Sequence, residues 1–164
     1  KSVVVTMLIS LPIGLLMSSI VIGIANLYGI KSDINLNISL LLALLIVVPI
    51  HEVIHALAFP ESIKSDKVIF GILPKVGAFY AHYEGEMKKM RFLITLLAPL
   101  IIITVIPLVF LCISGINMPF IIKISSVNAL CACADVFGFF LILFQLPKKS
   151  LVRNKGIKTY WKQL

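Results

Sequence analysis

Four long runs of apolar residues constrain the fold of this chain more than any other feature. They cover about residues 3–24, 34–59, 91–113 and 120–146, and each is close to or above the roughly 20 residues that a helix needs to cross a bilayer. The chain is 60% hydrophobic and 13% charged, whereas soluble domains are about half apolar and about a quarter charged. We therefore predict an all-α integral membrane protein, a bundle of four transmembrane helices that forms one domain over residues 1–164.

The segment between the second and third runs, residues 61–90, is too polar and too interrupted to cross a membrane. It contains two runs rich in β-branched and aromatic residues, which Pro74 and Lys75 separate. This pattern predicts a short β-hairpin over about residues 67–84, at the cytoplasmic membrane edge between helices 2 and 3. The exposed edge of such a hairpin can pair with an extended peptide.

Basic residues are concentrated in two parts of the chain, and this predicts its orientation in the cell membrane. Residues 61–91 hold six Lys or Arg and the tail, residues 147–164, holds six more, whereas the two short turns hold only Lys31. By the positive-inside rule, the hairpin, the tail and both termini then lie in the cytoplasm. The net charge of +8 follows from this pattern, so we expect no nucleic-acid partner. No small-residue cleavage site follows the first run, and we expect that run to remain as a span.

The second run contains the sequence His-Glu-Val-Ile-His, which places three costly polar groups inside an apolar segment. Residues four apart lie on one face of a helix, so His51 and His55 can bind one Zn²⁺. Glu52, one position on, can act as the general base on a metal-activated water. Ionisable residues within a span mark functional sites. The alternative is a helix end with two hydrogen-bonded histidines and a Glu that faces water.

Asp135 is the predicted third ligand, because it is the other acidic residue that falls inside an apolar run. Counted from the outer ends of runs two and four, His51 and Asp135 both lie roughly 23–26 Å into the membrane. A site of two His and one Asp leaves a fourth position open, as catalytic zinc sites do. The alternative is a protonated or paired carboxyl. Cys131, on the same helix face, is either a competing ligand or a small apolar residue. For Asn128 an ordinary hydrogen bond between helices is the better interpretation than a role in orienting a ligand or a substrate.

The remaining polar residues near these features are expected at surfaces. His82, Glu84 and Glu86 fall on or beside the predicted hairpin, where solvated groups are the better interpretation than further ligands. Lys123 lies near the start of the fourth run, and we expect its ammonium to extend along the helix toward the lipid headgroups.

The order of these features resembles two groups of proteins. Site-2-type intramembrane metalloproteases also have His-Glu-x-x-His in one span, an edge hairpin, a span with a Gly-Pro-like step and a span with a metal-binding Asp; here the step is Ala98-Pro99. The run from Pro49 to Phe59 reads Pro-x-His-Glu-x-x-His-Ala-Leu-Ala-Phe. Together with Asp135, Leu146-Pro147-Lys148 and Leu151-Val152, it resembles the zincin peptidase family of small bacterial membrane proteins.

The resemblance implies a zinc cofactor, with His51, His55 and Asp135 as ligands and Glu52 as the catalytic base. Site-2 proteases usually have Leu-Asp-Gly around the third ligand, whereas this chain has Ala134-Asp135-Val136. We expect a zinc-dependent intramembrane peptidase that hydrolyses a peptide bond with a metal-activated water, acting on a peptide or a membrane-protein segment within the lipid bilayer. The alternatives are a non-catalytic membrane protein that keeps a metal site or acts as a scaffold, and a transporter core in which Asp135 relays protons.

Overall fold

Helices account for most of the chain. The computed structural model describes residues 3–31, 35, 37–73, 77–155 and 158–164. The predicted start of the second span at residue 34 and the predicted turn at Pro74-Lys75 lie outside the described residues. A π-helical segment, Leu100–Val105, joins the third and fourth helices without a break. The helices are α1 (Val3–Leu27), α2 (Ile38–Ala58), α3 (Lys89–Pro99), α4 (Ile106–Ser114), α5 (Pro119–Cys131) and α6 (Cys133–Gln145).

Local signals in the sequence set several helix ends. The Asn37 side chain accepts a hydrogen bond from the Leu40 N–H at 3.2 Å, as a helix N-cap does, and α2 begins at the next residue. Pro60 cannot continue a helix, and α2 ends at Ala58. Gly115 adopts a positive φ of 67° and ends α4.

Three helices within the described part of the chain are long and apolar enough to cross a membrane. They are Val5–Leu27 of α1, all of α2, and the continuous helix Lys89–Ser114. This is consistent with the predicted membrane protein. Helices α5 and α6 pass the same test only as a pair, and they are bent by 48° at their junction. The straight span predicted over residues 120–146 is therefore two helices.

Helix α1 packs closely against the junction of α5 and α6. A Cβ added to Gly14 of α1 would lie 2.7 Å from the Leu130 carbonyl oxygen and 2.8 Å from the Cys133 Cβ. Only glycine allows this approach of the two backbones. At the junction itself, Ala132 has φ −70° and ψ 4°, and its N–H still bonds to the Asn128 carbonyl. The bend thus lies against a glycine from a helix distant in sequence.

The predicted hairpin between α2 and α3 is present. Strand β1 (Val68–Leu73) pairs antiparallel with β2 (Ala78–Tyr83), with Gly71 opposite Tyr80. Whether it lies at the cytoplasmic membrane edge stays a prediction.

The loop before the hairpin is tied to β2 through one carboxylate. Glu61 accepts hydrogen bonds from the Lys67 ammonium at 2.6 Å, from the Ser65 hydroxyl at 2.6 Å and from the Tyr83 hydroxyl at 2.8 Å. The bond from the Lys67 ammonium is the largest of the effects that lower the pKa of Glu61 to about 2, and the two hydroxyls add to it. The loop and β2 are therefore held together while Glu61 is ionised.

The basic tail, for which the sequence predicted no secondary structure, forms part of a second sheet. Strand β3 (Glu86–Lys88) pairs with β4 (Ser150–Lys155), which pairs with β5 (Lys158–Gln163), all antiparallel. Val152 lies opposite Met87 and is fully buried in the same apolar cluster. The sequence of the tail did not predict this sheet. All six residues of β5 are exposed, so the strand lacks the alternation of buried and exposed residues by which a half-buried strand is recognised.

Two basic residues at the start of α3 bind the ends of two other helices. The buried Lys89 ammonium donates to the carbonyls of Leu143 and Leu146 at 2.9 and 2.7 Å, at the end of α6. The Arg91 guanidinium donates to the carbonyls of Ala58 and Phe59 at 2.6 and 2.8 Å, at the end of α2. The last carbonyls of a helix lack intrahelical donors, and these cations satisfy them.

Lys123 does not extend toward the headgroups as predicted. Its side chain is only 2% exposed and donates to the Ser39 hydroxyl, with the Asn37 side-chain oxygen at 3.4 Å. Both acceptors lie at the start of α2, so α5 packs Lys123 against polar groups that the sequence pattern of α5 alone does not reveal.

Candidate metal centre

Two imidazoles on one face of α2 form the first part of the site. His51 and His55, one helical turn apart, are both buried, and their ring centroids lie 4.8 Å apart. Their Nε2 atoms are 3.1 Å from each other. Pro49 lies inside α2 just ahead of them. The spacing in the sequence therefore gives a pair of ring nitrogens turned toward the same point.

Asp135, in the first turn of α6, faces both rings. Its Oδ2 lies 3.0 Å from the His51 Nε2 and 3.3 Å from the His55 Nε2. The bend at the α5–α6 junction starts a new helix two residues ahead of Asp135, and the first turn of a helix favours a negative charge. The structure thus brings together the three side chains that the sequence predicts as metal ligands.

Hydrogen bonds on the far side of each ring fix which nitrogen carries the proton. The His51 Nδ1 lies 2.9 Å from the Asn128 Oδ1, and the His55 Nδ1 lies 2.9 Å from the Thr95 carbonyl oxygen. A carbonyl or amide oxygen only accepts, so both Nδ1 atoms are the donors. In the neutral rings both Nε2 atoms then carry lone pairs and no proton.

The orientation of the Asn128 amide is fixed in turn. Its Nδ2 donates to the Pro99 carbonyl at 3.0 Å and to the Thr104 hydroxyl at 2.9 Å, while the Thr104 hydroxyl donates to the Ser125 carbonyl at 2.9 Å. Asn128 is fully buried, so its donors and its acceptor each need a partner. With the donors committed to the helix Lys89–Ser114, its oxygen faces His51.

The backbone of the third span supplies these partners because prolines and a π-helical segment interrupt it. Pro99 has no N–H, so the carbonyl of Thr95 lacks its helical donor, and His55 takes that place. Pro107 leaves the carbonyl of Ile103 without a donor in the same way, and the Ser125 hydroxyl donates to it at 3.1 Å. In the π-helical segment each N–H bonds to the carbonyl five residues earlier instead of four, and such segments are frequent at functional sites.

The inward-facing atoms of the three side chains fit a cation. In the neutral rings, two unprotonated nitrogens and a carboxylate oxygen all accept, and they face one another at 3.0 to 3.3 Å. Such a set is electrostatically unfavourable unless a positive ion lies between its members. The three ligand atoms lie within 4.8 Å of one another. The chemistry of this donor set therefore matches a metal site.

Glu52 lies beside the three side chains but is turned toward the hairpin. Its Oε2 accepts the Ala81 N–H of β2 at 2.5 Å. With His51, Asp135 and Cys131 it lines a cavity of about 390 Å³, whose surface is mainly apolar. Glu52 is thus the carboxylate between the three side chains and the edge of β2.

The outer edge of β2 points its backbone groups toward the site. The Glu84 N–H donates to the Lys67 carbonyl at 2.9 Å, so in this antiparallel pair the even-numbered residues of β2 face β1. The odd-numbered Phe79 and Ala81 therefore direct their N–H and carbonyl groups away from β1. The bond from the Ala81 N–H to Glu52 is one such outward contact.

Comparison with known proteins assigns the chain to a family. A family model described as "Putative zincin peptidase" matches residues 44–151, well over half of the chain. The chain belongs to this zincin peptidase family. The matched region contains the His-Glu-Val-Ile-His sequence and Asp135. A search of curated proteins and a search of solved structures find no significant match.

The zincin name implies zinc, and the dimensions of the site agree with that ion. Tetrahedral zinc with bonds of about 2.0–2.1 Å to nitrogen and oxygen separates its ligand atoms by roughly 3.3 Å. The three separations among His51, His55 and Asp135 are 3.0, 3.1 and 3.3 Å. Three protein ligands would leave a fourth position for a water molecule, and His51 and Asp135 line the cavity beside Glu52.

Sequence reasoning missed several residues of this zincin peptidase site. For Asn128 an ordinary hydrogen bond between helices was the preferred interpretation, whereas its contact with the predicted ligand His51 agrees with the alternative, a role in orienting a ligand. The Thr95 carbonyl was missed because the one signal for it is a proline four residues later. Of the groups expected at the surface, Glu84 is exposed and Glu86 pairs with Lys162 at 2.8 Å. The prediction was wrong for His82, which is half-buried and whose Nε2 is enclosed with no hydrogen-bond partner among the described residues. Among the described residues, Cys131 lines the cavity but is not one of the three clustered ligands.

Proposed function

We propose that this zincin peptidase family member is a zinc-dependent intramembrane peptidase. In this proposal His51, His55 and Asp135 hold the zinc, and Glu52 is the general base. The observation that supports it most is the convergence of three donor atoms: the Nε2 atoms of His51 and His55 and a carboxylate oxygen of Asp135 lie within 4.8 Å of one another, while both Nδ1 atoms bond to oxygen acceptors.

Glu52 is suited to proton transfer in this site. A zinc ion held by the three ligands would supply Lewis acidity and lower the pKa of a water molecule. Glu52 lines the same cavity as His51 and Asp135, so its carboxylate can accept the proton of the attacking water and deliver it to the leaving amine. The Ala81 N–H holds that carboxylate between the ligands and β2 while no peptide is bound.

The substrate in this proposal is a peptide or membrane-protein segment in extended form. The outward N–H and carbonyl groups of Phe79 and Ala81 can pair with a peptide backbone, with the Ala81 N–H exchanging Glu52 for a substrate carbonyl. A second cavity of about 440 Å³ flanks Glu52 on the other side, and Val53, Phe70 and Ile72 give it an almost entirely apolar wall. Apolar side chains on both sides of the cleaved bond are therefore expected.

The proposal also places the helices and both termini relative to the membrane. The bent pair α5–α6 is taken as one broken span, which gives four spans in all, with the hairpin, the tail and both termini in the cytoplasm. This is the arrangement that the distribution of Lys and Arg predicts. A broken helix can lie within a membrane when its loose backbone groups are buried in protein, as at the α1 crossing.

The replacement Glu52→Gln tests the catalytic part. It keeps the size of the side chain and removes the base, so cleavage of a library of short apolar peptides, followed by mass spectrometry, should slow by roughly 100- to 10,000-fold. Zinc measured by atomic absorption should stay at about one ion per chain, because Glu52 is not a ligand. The control is Glu84→Gln, the same change at an exposed position of the hairpin.

The replacement Asp135→Ala, measured in the same experiment, should abolish stoichiometric zinc, with Glu84→Ala as its control. If Glu52→Gln cleaves like the unchanged protein, Glu52 is not the base. If the unchanged protein binds zinc but cleaves nothing in the library, and Glu52→Gln behaves identically, the non-catalytic metal protein is the better description. A folded protein that never binds zinc would leave only the scaffold.

A further inference from the structure

A third cavity, separate from the metal centre and from both cavities beside Glu52, lies between α1, α6 and β5. It has a volume of about 500 Å³ and shares no lining residue with the cavity beside Glu52. One wall is apolar and is formed by Ile9, Phe137 and Leu141. The other wall is polar and includes Gln145, Lys158 and Tyr160. We propose that this cavity binds one anionic phospholipid, with its acyl chains on the apolar wall and its headgroup on the polar wall.

The apolar wall belongs to the lipid-facing surface of the helices. Ile9 is 48% exposed and Leu141 is 39% exposed, on α1 and α6 respectively. Helix α1 is one of the candidate spans, and large apolar side chains exposed on a span face acyl chains. The wall therefore continues the surface that lipid tails already cover.

The polar wall lies where a span ends. Gln145 is the last residue of α6, and Lys158 and Tyr160 belong to the strand β5 just beyond it. Tyr160 and its neighbour Trp161 are about half exposed, and Tyr and Trp are enriched at the level of the headgroups. A molecule filling the cavity would thus have its polar end at the membrane surface and its apolar end along the helices.

The charge of the polar wall selects an anionic headgroup. The tail from residue 147 to residue 164 contains six basic residues and no Asp or Glu. Within the described part of the chain, Lys162 pairs with Glu86, but no carboxylate lies within ion-pair distance of Lys158. A phosphate group beside Lys158 would supply the missing negative charge. A free phosphate would leave the apolar wall uncovered, which is why the occupant is assigned as a phospholipid.

Lipid binding by the full chain in neutral detergent tests this inference, with native mass spectrometry as the readout. The probes are phosphatidylglycerol and phosphatidylcholine with identical acyl chains. We expect one retained phosphatidylglycerol and a clear preference for it over phosphatidylcholine. Lys158→Gln should reduce that preference about fivefold, the effect of one lysine near an anionic surface. Lys64→Gln, the same charge change at an exposed position ahead of the first hairpin, should leave it unchanged.

A second variant probes the apolar wall without changing charge. Leu141→Trp fills part of the cavity and should reduce retention of both lipids, while the zinc content reports that the chain is folded. Equal binding of the two lipids by the unchanged protein would overturn the inference. So would equal losses for Lys158→Gln and Lys64→Gln, which would indicate bulk charge. Inorganic phosphate that binds without lipid and depends equally on Lys158 would show an anion site instead.

Discussion

At the residue scale, the orientation of His51 depends on the Asn128 side chain. Asn128 is fully buried, and both hydrogen bonds that its Nδ2 donates run to the helix Lys89–Ser114. Residues that bond to a metal ligand in this way typically change metal affinity 10- to 100-fold when they are removed. The proposed metal site therefore includes the groups that bond to its predicted ligands, such as Asn128.

We expect Asn128→Leu to weaken zinc binding roughly 10- to 100-fold, because His51 loses the acceptor that keeps its proton on Nδ1. Competition with a chelating dye measures this. Ser126→Ala is the control on the same helix: Ser126 is 2% exposed, and its hydroxyl has no hydrogen-bond partner among the described residues. Asn128→Asp keeps an acceptor and should retain more affinity than Asn128→Leu. Equal affinity in all three variants would contradict the role given to Asn128.

At this scale the convergence of the three predicted ligands could be read from the sequence, whereas the hydrogen bonds that hold the two rings were harder to predict. The spacing of His51 and His55 and the depth of Asp135 follow from helix geometry alone. Asn128 looks the same in a sequence whether it bonds to a backbone or to a ligand. The Thr95 partner is a backbone carbonyl, and backbone groups leave no trace of their own in a sequence.

At the scale of elements, the third span acts through the places where its helical hydrogen bonding is interrupted. Pro99 and Pro107 each leave one carbonyl without a helical donor, and a side chain from a neighbouring helix bonds to each. The two prolines therefore have the same local effect, but only Pro99 acts on a predicted ligand. This difference allows a matched comparison within one helix.

Pro99→Ala should lower zinc affinity severalfold, up to about tenfold, because the new N–H competes with His55 for the Thr95 carbonyl. Pro107→Ala is the control, since its new N–H competes only with Ser125 for the Ile103 carbonyl. The same dye competition reports both variants, and thermal unfolding in detergent checks that each is folded. Equal changes in zinc affinity would mean that the effect comes from general helix straightening.

Element boundaries were predictable where local signals exist. The hairpin, predicted over residues 67–84, has strands at Val68–Leu73 and Ala78–Tyr83. The bend between α5 and α6 was not predictable, because Cys131-Ala132-Cys133 contains neither proline nor glycine and the contact there comes from Gly14. The sheet of the tail was missed for a related reason: it is completed by β3, a three-residue strand far away in sequence.

At the scale of the whole molecule, one end of the helix bundle carries most of the Lys and Arg residues. The tail strand β4 pairs with β3 directly before α3, so the tail and the region of the hairpin share one end of the bundle. The turn between α4 and α5, residues 115–118, lies beyond the continuous helix Lys89–Ser114. The asymmetry of Lys and Arg was readable from the sequence, whereas the pairing that joins the two basic segments was not.

The proposed orientation predicts that these two ends are accessible from opposite sides of the membrane. In a variant without native cysteines, Lys64→Cys should react with an impermeant maleimide only after the cells are permeabilised, because the positive-inside rule places that end in the cytoplasm. Asn117→Cys, in the turn after α4, should react in intact cells. The reverse pattern would invert the orientation. Labelling of both from the same side would mean that Lys89–Ser114 does not cross.

The contacts of Lys89 and Arg91 have a consequence for how this protein would respond to bilayers of different thickness. One short stretch of α3 holds the last carbonyls of the helix that carries both histidines and of the helix that carries Asp135. A membrane that is too thin or too thick is accommodated mainly by tilting of helices. Because α2 and α6 are both bonded to the start of α3, they would tilt together. The two histidines would therefore keep their depth in the membrane relative to Asp135.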